Sequence, residues 1–127
     1  MLSTIFQTIL EKVHRQINID KKVLIELLEL IQSKNLNSYL YPELLTELFN
    51  LDMNTCLKIL IILEKEDILQ QVYKVYCPVC QDFSSDIFKS INEVEQYEFC
   101  EECGRKLIEL QNPYKYVVVY FKVIHNE

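Results

Sequence analysis

The sequence predicts an α+β chain of two modules, a helical one first and a small β-rich four-cysteine ribbon second. Three observations carry this. Apolar residues recur at helical spacing through the first half of the chain. Runs of β-branched and aromatic residues appear only later, at Ile68–Tyr76 and Tyr114–Ile124. Two C-x2-C pairs, Cys77/Cys80 and Cys100/Cys103, are separated by residues 81–99. The expected modules are residues 1–72 and 73–127.

Leu2, Ile5, Phe6, Ile9, Leu10, Val13 and Ile17 share one helical face, opposite Glu11, Lys12, Arg15 and Gln16. Asp20 is suited to cap a second helix running to about Ile31, with Val23, Leu24, Leu27, Leu28 and Ile31 inward. Residues 33–38 read as a loop. Pro42 fits the first position of a third helix over 42–50, where Leu44, Leu45, Leu48 and Phe49 form the apolar face. Asp52 is placed to cap a fourth helix, 53–65, with Leu57, Leu60, Ile61 and Leu63 facing a core. Glu66-Asp67 turns the chain into a strand that runs directly to Cys77. The closing strand, 114–124, follows the Asn112-Pro113 turn. It puts Val117, Val119, Phe121 and Val123 on one face and Val118, Tyr120 and Ile124 on the other.

The spacing C-x2-C-x19-C-x2-C points to one structural Zn2+ held by Cys77, Cys80, Cys100 and Cys103. Two disulfides, four free thiols or an iron–sulfur cluster are the competing readings. Four thiolates leave a tetrahedral ion no open position, which argues against zinc catalysis there. Gly104, the only glycine in the chain, follows the last cysteine, where a tight metal-binding turn favours positive φ. Lys74, Arg105 and Lys106 lie near the cysteines and are placed to offset thiolate charge. Phe83, Ile87, Phe88, Ile91, Val94 and Tyr97 are expected to give the intervening finger its core. Cys56, the odd cysteine, reads as a small buried residue of the fourth helix. His14 and His125 have no ligand-spaced partners and read as solvated side chains.

Composition narrows the function classes. The chain has 127 residues, half of them hydrophobic, and a net charge of −6. Residues 1–72 hold 7 Lys/Arg against 10 Asp/Glu, and residues 73–127 hold 6 against 9. Strong nonspecific nucleic-acid binding, which needs cations to neutralise phosphates, is disfavoured. No apolar run reaches the length of about 20 residues that a membrane helix needs. The opening Met1-Leu2-Ser3-Thr4 has no basic n-region, so no signal peptide is expected. A reducing, cytoplasmic setting follows, and there paired cysteines favour metal over disulfides. No phosphate loop, nucleophile–base pair or open metal site suggests an enzyme or a small-molecule substrate.

Helix, short helix, three-residue turn, helix, then strand is the order of a winged helix-turn-helix, with helical elements at 20–32, 42–50 and 53–65. Residues 51–69 resemble the third helix and first wing strand of that superfamily, whose members often carry glycine where Glu66-Asp67 turns here. In such a fold the fourth helix of this chain would read DNA through Met53, Asn54, Thr55 and Lys58, with Lys65 near its end. Only the lysines among these are cationic. Arginine is absent between Arg15 and Arg105, and Glu64, Glu66 and Asp67 stand where phosphates would approach. A protein-docking module is therefore the preferred expectation, with sequence-specific DNA binding as the alternative. Tyr116, Val118, Tyr120 and Ile124 suit an interface with a partner protein or a second copy of the chain. A seam between the two modules would use the same residues.

Joined to the four ligands Cys77, Cys80, Cys100 and Cys103, this arrangement resembles archaeal transcription factor E and the related eukaryotic alpha subunit. The resemblance implies modules that dock mainly on RNA polymerase and help promoter opening. The chain departs from that family in running its wing strand straight into the first cysteine pair.

Overall fold

The structure, a computed structural model, describes residues 2–109 and 111–125. It is of mixed α+β type, with four of its five described helices N-terminal and a curled four-stranded sheet. The elements are α1 (Thr4–Gln16), α2 (Lys21–Ser33), β1 (Tyr39–Leu40), α3 (Pro42–Phe49), α4 (Met53–Lys65), β2 (Leu69–Cys77), β3 (Asp82–Phe83), α5 (Ile91–Glu95) and β4 (Val117–Val123). The strands follow the order β1-β4-β2-β3. Among the described residues no helix is long and apolar enough to cross a membrane.

The chain divides into two compact units. One comprises Met1–Gln70 and Phe121–Glu127, the other Gln71–Tyr120. The second unit is thus an insertion, and the last residues return to the first. This differs from a ribbon that keeps all of 73–127. The reason is burial: Phe121 and Val123 are core residues, and β4 pairs with β1 at Tyr39↔Lys122 and Leu40↔Phe121. Asn37 N–H donates to the Val123 carbonyl (2.7 Å), and Val123 N–H donates to the Ser38 carbonyl (2.9 Å).

Local chemistry explains the helical unit. Ser3, Asp20 and Asp52 cap α1, α2 and α4 with side-chain oxygens that accept from Phe6, Lys22 and Thr55 amides. Pro42 starts α3, and Asn50 ends it in the left-handed conformation. Asp67 takes φ 62° where α4 gives way to β2, so a carboxylate residue serves the position that glycine would otherwise fill. α1 packs on α2 and α4, and α3 packs on α2 and α4. Phe6, Leu24, Leu27, Leu28, Ile31, Ile59, Leu60 and Leu63 are fully buried. Each contributes about 1.5–3 kcal/mol over an exposed position. Lys12 and Glu66 pair at 2.8 Å across α1 and the end of α4.

Three expected details shift. Residues 39–40, between the expected loop and third helix, form β1. The closing strand begins at Val117, because Tyr114–Tyr116 lie in turns. Ile61 is exposed instead of core-facing, since Ile59, Leu60 and Leu63 already fill the buried side of α4.

Candidate metal centre

β2 ends on Cys77, so the sheet delivers the first sulfur. Cys80 N–H donates to Cys77 Sγ (3.5 Å) and Gln81 N–H to the Cys77 carbonyl (2.8 Å), closing a tight turn. The second turn repeats this arrangement. Gly104 N–H donates to the Cys100 carbonyl (2.9 Å), and Cys100 N–H donates to the Arg105 carbonyl (2.8 Å). An antiparallel bridge between Phe99 and Lys106 forms the stem of that hairpin.

The two turns bring four sulfurs together. Cys77 Sγ lies 3.6 Å from Cys103 Sγ, and Cys80 Sγ lies 3.8 Å from Cys100 Sγ. All four ligand atoms fall within 4.8 Å of one another. Zn–S bonds of about 2.3 Å in a tetrahedron require S···S separations of about 3.8 Å. The donor set fits a single structural zinc ion. All five cysteines are free thiols, so the paired-disulfide reading is not met. Sulfurs gathered about one point suit one ion, whereas a multi-iron cluster would hold them further apart.

Cys77 and Cys100 are buried, Cys80 is half-buried and Cys103 is exposed. The amides of Cys103 and Glu102 hydrogen-bond to Cys100 and pull its thiol down to about 7. Cys80 is pushed upward, first by its hydrogen bond with Cys103 and then by desolvation. Metal binding needs all four as thiolates, and the ion's charge supplies that preference.

Only part of the shell around the ligands follows from the sequence. Val94 is buried in the core beside Val75 and Leu107, and Phe88 and Tyr97 pack against it. Phe83 is exposed and instead meets the edges of Tyr76 and Tyr120, with ring centroids 5.2 and 6.3 Å away. Ser84 is buried. Its hydroxyl accepts from Val75 N–H (3.1 Å) and donates to the Asp86 carbonyl (3.0 Å). Ser85 donates twice to Glu101, holding that carboxyl below its ordinary range. Tyr97 Oη accepts from Glu101 N–H. These bonds tie the finger to the second cysteine turn, and no sequence pattern announces them. Arg105 lies against Tyr116, with its guanidinium 6.0 Å from the ring centre.

The expected contact residues scatter. Met53, Asn54, Lys58 and Lys65 are exposed on α4. Thr55 is committed to the helix cap, its hydroxyl donating to Asp52 at 2.6 Å. Tyr116 and Val118 are half-buried and Ile124 is exposed. Tyr120 is only 8% exposed, because its ring is packed within the zinc unit. Cys56 is buried as expected, and its Sγ lies 3.7 Å from the Pro42 carbonyl. No protein-family model, curated protein or solved structure matches the chain.

Proposed function

We propose that the chain is a non-enzymatic, zinc-stabilised adaptor or regulator of the cytoplasm. In this reading its helical unit is a winged helix-turn-helix that docks on a protein within a larger assembly. The element order α2-β1-α3-α4-β2, with β4 between β1 and β2, supports the winged reading. In that frame β2 and β4 are the wing strands, and the zinc unit takes most of β2, the first half of β4 and the chain between them. A transcription-factor-E-like role is one form that this reading takes.

One observation carries the docking role. The outward side of α3 is aliphatic and acidic, and exposed aliphatic residues continue onto α4. Leu44 and Leu48 on α3 are 50% and 59% exposed, and Met53 and Ile61 on α4 are 39% and 38% exposed. No Lys or Arg occurs between Lys34 and Lys58, whereas Glu43, Glu47 and Asp52 do. Phosphate docking needs cations at this place, and protein docking needs exposed apolar side chains.

Sequence-specific DNA binding is the second reading, favoured by Asn54, Lys58 and Lys65 on the exposed part of α4. Mobility shifts across a salt series separate the two. The adaptor reading expects no duplex shift at low salt. A shift with a steep salt slope that is lost in Lys58→Glu establishes DNA binding instead.

A further inference from the structure

We infer that the outer face of α3 is the docking surface, and that its occupant is an amphipathic helix carrying Lys or Arg beside an aliphatic stripe. The inference rests on the adaptor reading and adds the place and the partner's chemistry.

Leu44 and Leu48 lie one turn apart on one side of α3, and Tyr41, the residue that caps its start, precedes them by three. All three are exposed. Leu45, between them, is buried, so α3 uses one side for its own core and leaves a second apolar side outward. The stripe is about 10 Å long, two turns of helix, which matches the anchor spacing of a partner helix laid along it. It offers side chains of a helix face, the kind of surface on which an amphipathic helix lies.

Charge selects among occupants. Glu43 and Glu47 are exposed beside the leucines. From Asn35 to Leu57 the chain carries no Lys or Arg to neutralise them. A second copy apposed through the same face would bring these carboxylates together, and both halves of the chain carry more acidic than basic residues. A cationic helix instead pairs with both carboxylates while its aliphatic residues cover Leu44 and Leu48.

The test uses the full-length, zinc-loaded protein and two synthetic helical peptides. Both carry leucines at intervals of three and four; one flanks them with lysine, the other with glutamate. Binding is read by fluorescence anisotropy and by amide shifts in heteronuclear NMR. The lysine-flanked peptide is expected to bind and to shift signals of residues 41–49. The glutamate-flanked peptide should bind at least about tenfold more weakly, the penalty of facing like charges. Leu48→Ser should weaken the lysine-flanked peptide by a similar factor without altering melting temperature or zinc content. Glu43→Lys with Glu47→Lys should invert the preference between the peptides.

Absent or equal binding of the two peptides overturns the inference, as do shifts elsewhere or unchanged binding by Leu48→Ser. Self-association abolished by Leu48→Ser overturns it in favour of a second copy. The adaptor reading fails separately, on a DNA shift that is lost in Lys58→Glu.

Discussion

Gln81 and Gly104 occupy the same place in the two cysteine turns, each directly after the second cysteine and each with positive φ, 55° and 76°. Each amide donates to the carbonyl of the first cysteine of its turn, at 2.8 and 2.9 Å. One turn places glycine there and the other bears a side chain in a conformation that costs an L-residue about 1–2 kcal/mol. Gln81→Gly should therefore stabilise the zinc unit, by about 0.5–1 kcal/mol after its larger unfolded-state entropy is offset. Gly104→Ala should destabilise it by about 1 kcal/mol. A Cβ at Gly104 meets nothing within 4 Å, so backbone strain alone sets that loss. Thermal melts at saturating zinc check both signs. A Gly104→Ala variant as stable as the parent would mean that the turn relaxes to another conformation.

Removing one sulfur should cost the second unit its fold. Structural zinc in small domains supplies about 10–16 kcal/mol of binding energy, and the core here, Val75, Cys77, Val94, Cys100 and Leu107, includes two of the ligands themselves. Cys77→Ser and Cys103→Ser should each lose stoichiometric zinc. NMR signals of residues 71–120 should collapse toward unfolded positions while those of α1–α4 persist. Elemental analysis and a heteronuclear spectrum of each variant read both effects. A chelator strong enough to strip the parent protein should reproduce the same spectrum. Full zinc content in either variant would remove these residues from the ligand set.

Helices α1–α4 and the ligand set were legible in sequence because their signals are local; α5 was not. Asp20 and Asp52 announce their caps, Pro42 its first turn, and the C-x2-C spacing a shared ion. What stayed hidden depends on residues far apart in the chain. β1 is two residues long and exists through pairing with Lys122 and Phe121. The return of Phe121 to the helical unit follows from its burial there, and the apolar run 117–121 does not mark where one unit ends. Tyr120 looked like an interface residue because alternation assigns a face but not what covers it. Ser84 and Leu107 lie outside any apolar period, yet one satisfies Val75 N–H and the other fills the zinc unit's core.

Cys56 should behave unlike the other four thiols. Burial, with a smaller contribution from Asp52, raises its pKa from the ordinary 9.0 to about 11. At pH 8 its thiolate fraction falls to about one in a thousand, against about one in ten for an ordinary thiol of pKa 9. Titration with a thiol reagent in the presence of a zinc chelator should give four fast equivalents and one slow one. The slow equivalent should disappear in Cys56→Ala and accelerate only under conditions that open the helical unit. Five fast equivalents would mean that zinc loss also unfolds α4.

Asp52 gives the helical unit a pH dependence of known sign. Its carboxylate accepts from the Thr55 hydroxyl (2.6 Å) and the Thr55 amide (3.1 Å), and these bonds hold its pKa below the ordinary 3.8. The unfolded chain therefore binds the proton more readily than the folded one, so the cap's charge stabilises above about pH 4 and that contribution is lost as pH falls through the folded value. Asp52→Ala should lower the melting temperature at neutral pH, and the gap to the parent should narrow on acidification toward about pH 3. Acid also releases zinc from both proteins, so the quantity to follow is the difference between them in the helical transition. Asp52→Asn keeps an acceptor without the charge, so its gap to the parent should be smaller at neutral pH and should narrow over the same range, because the titrating group is the parent's carboxylate. A gap for Asp52→Ala that stays constant across the range would show that the cap acts through its neutral hydrogen bonds alone.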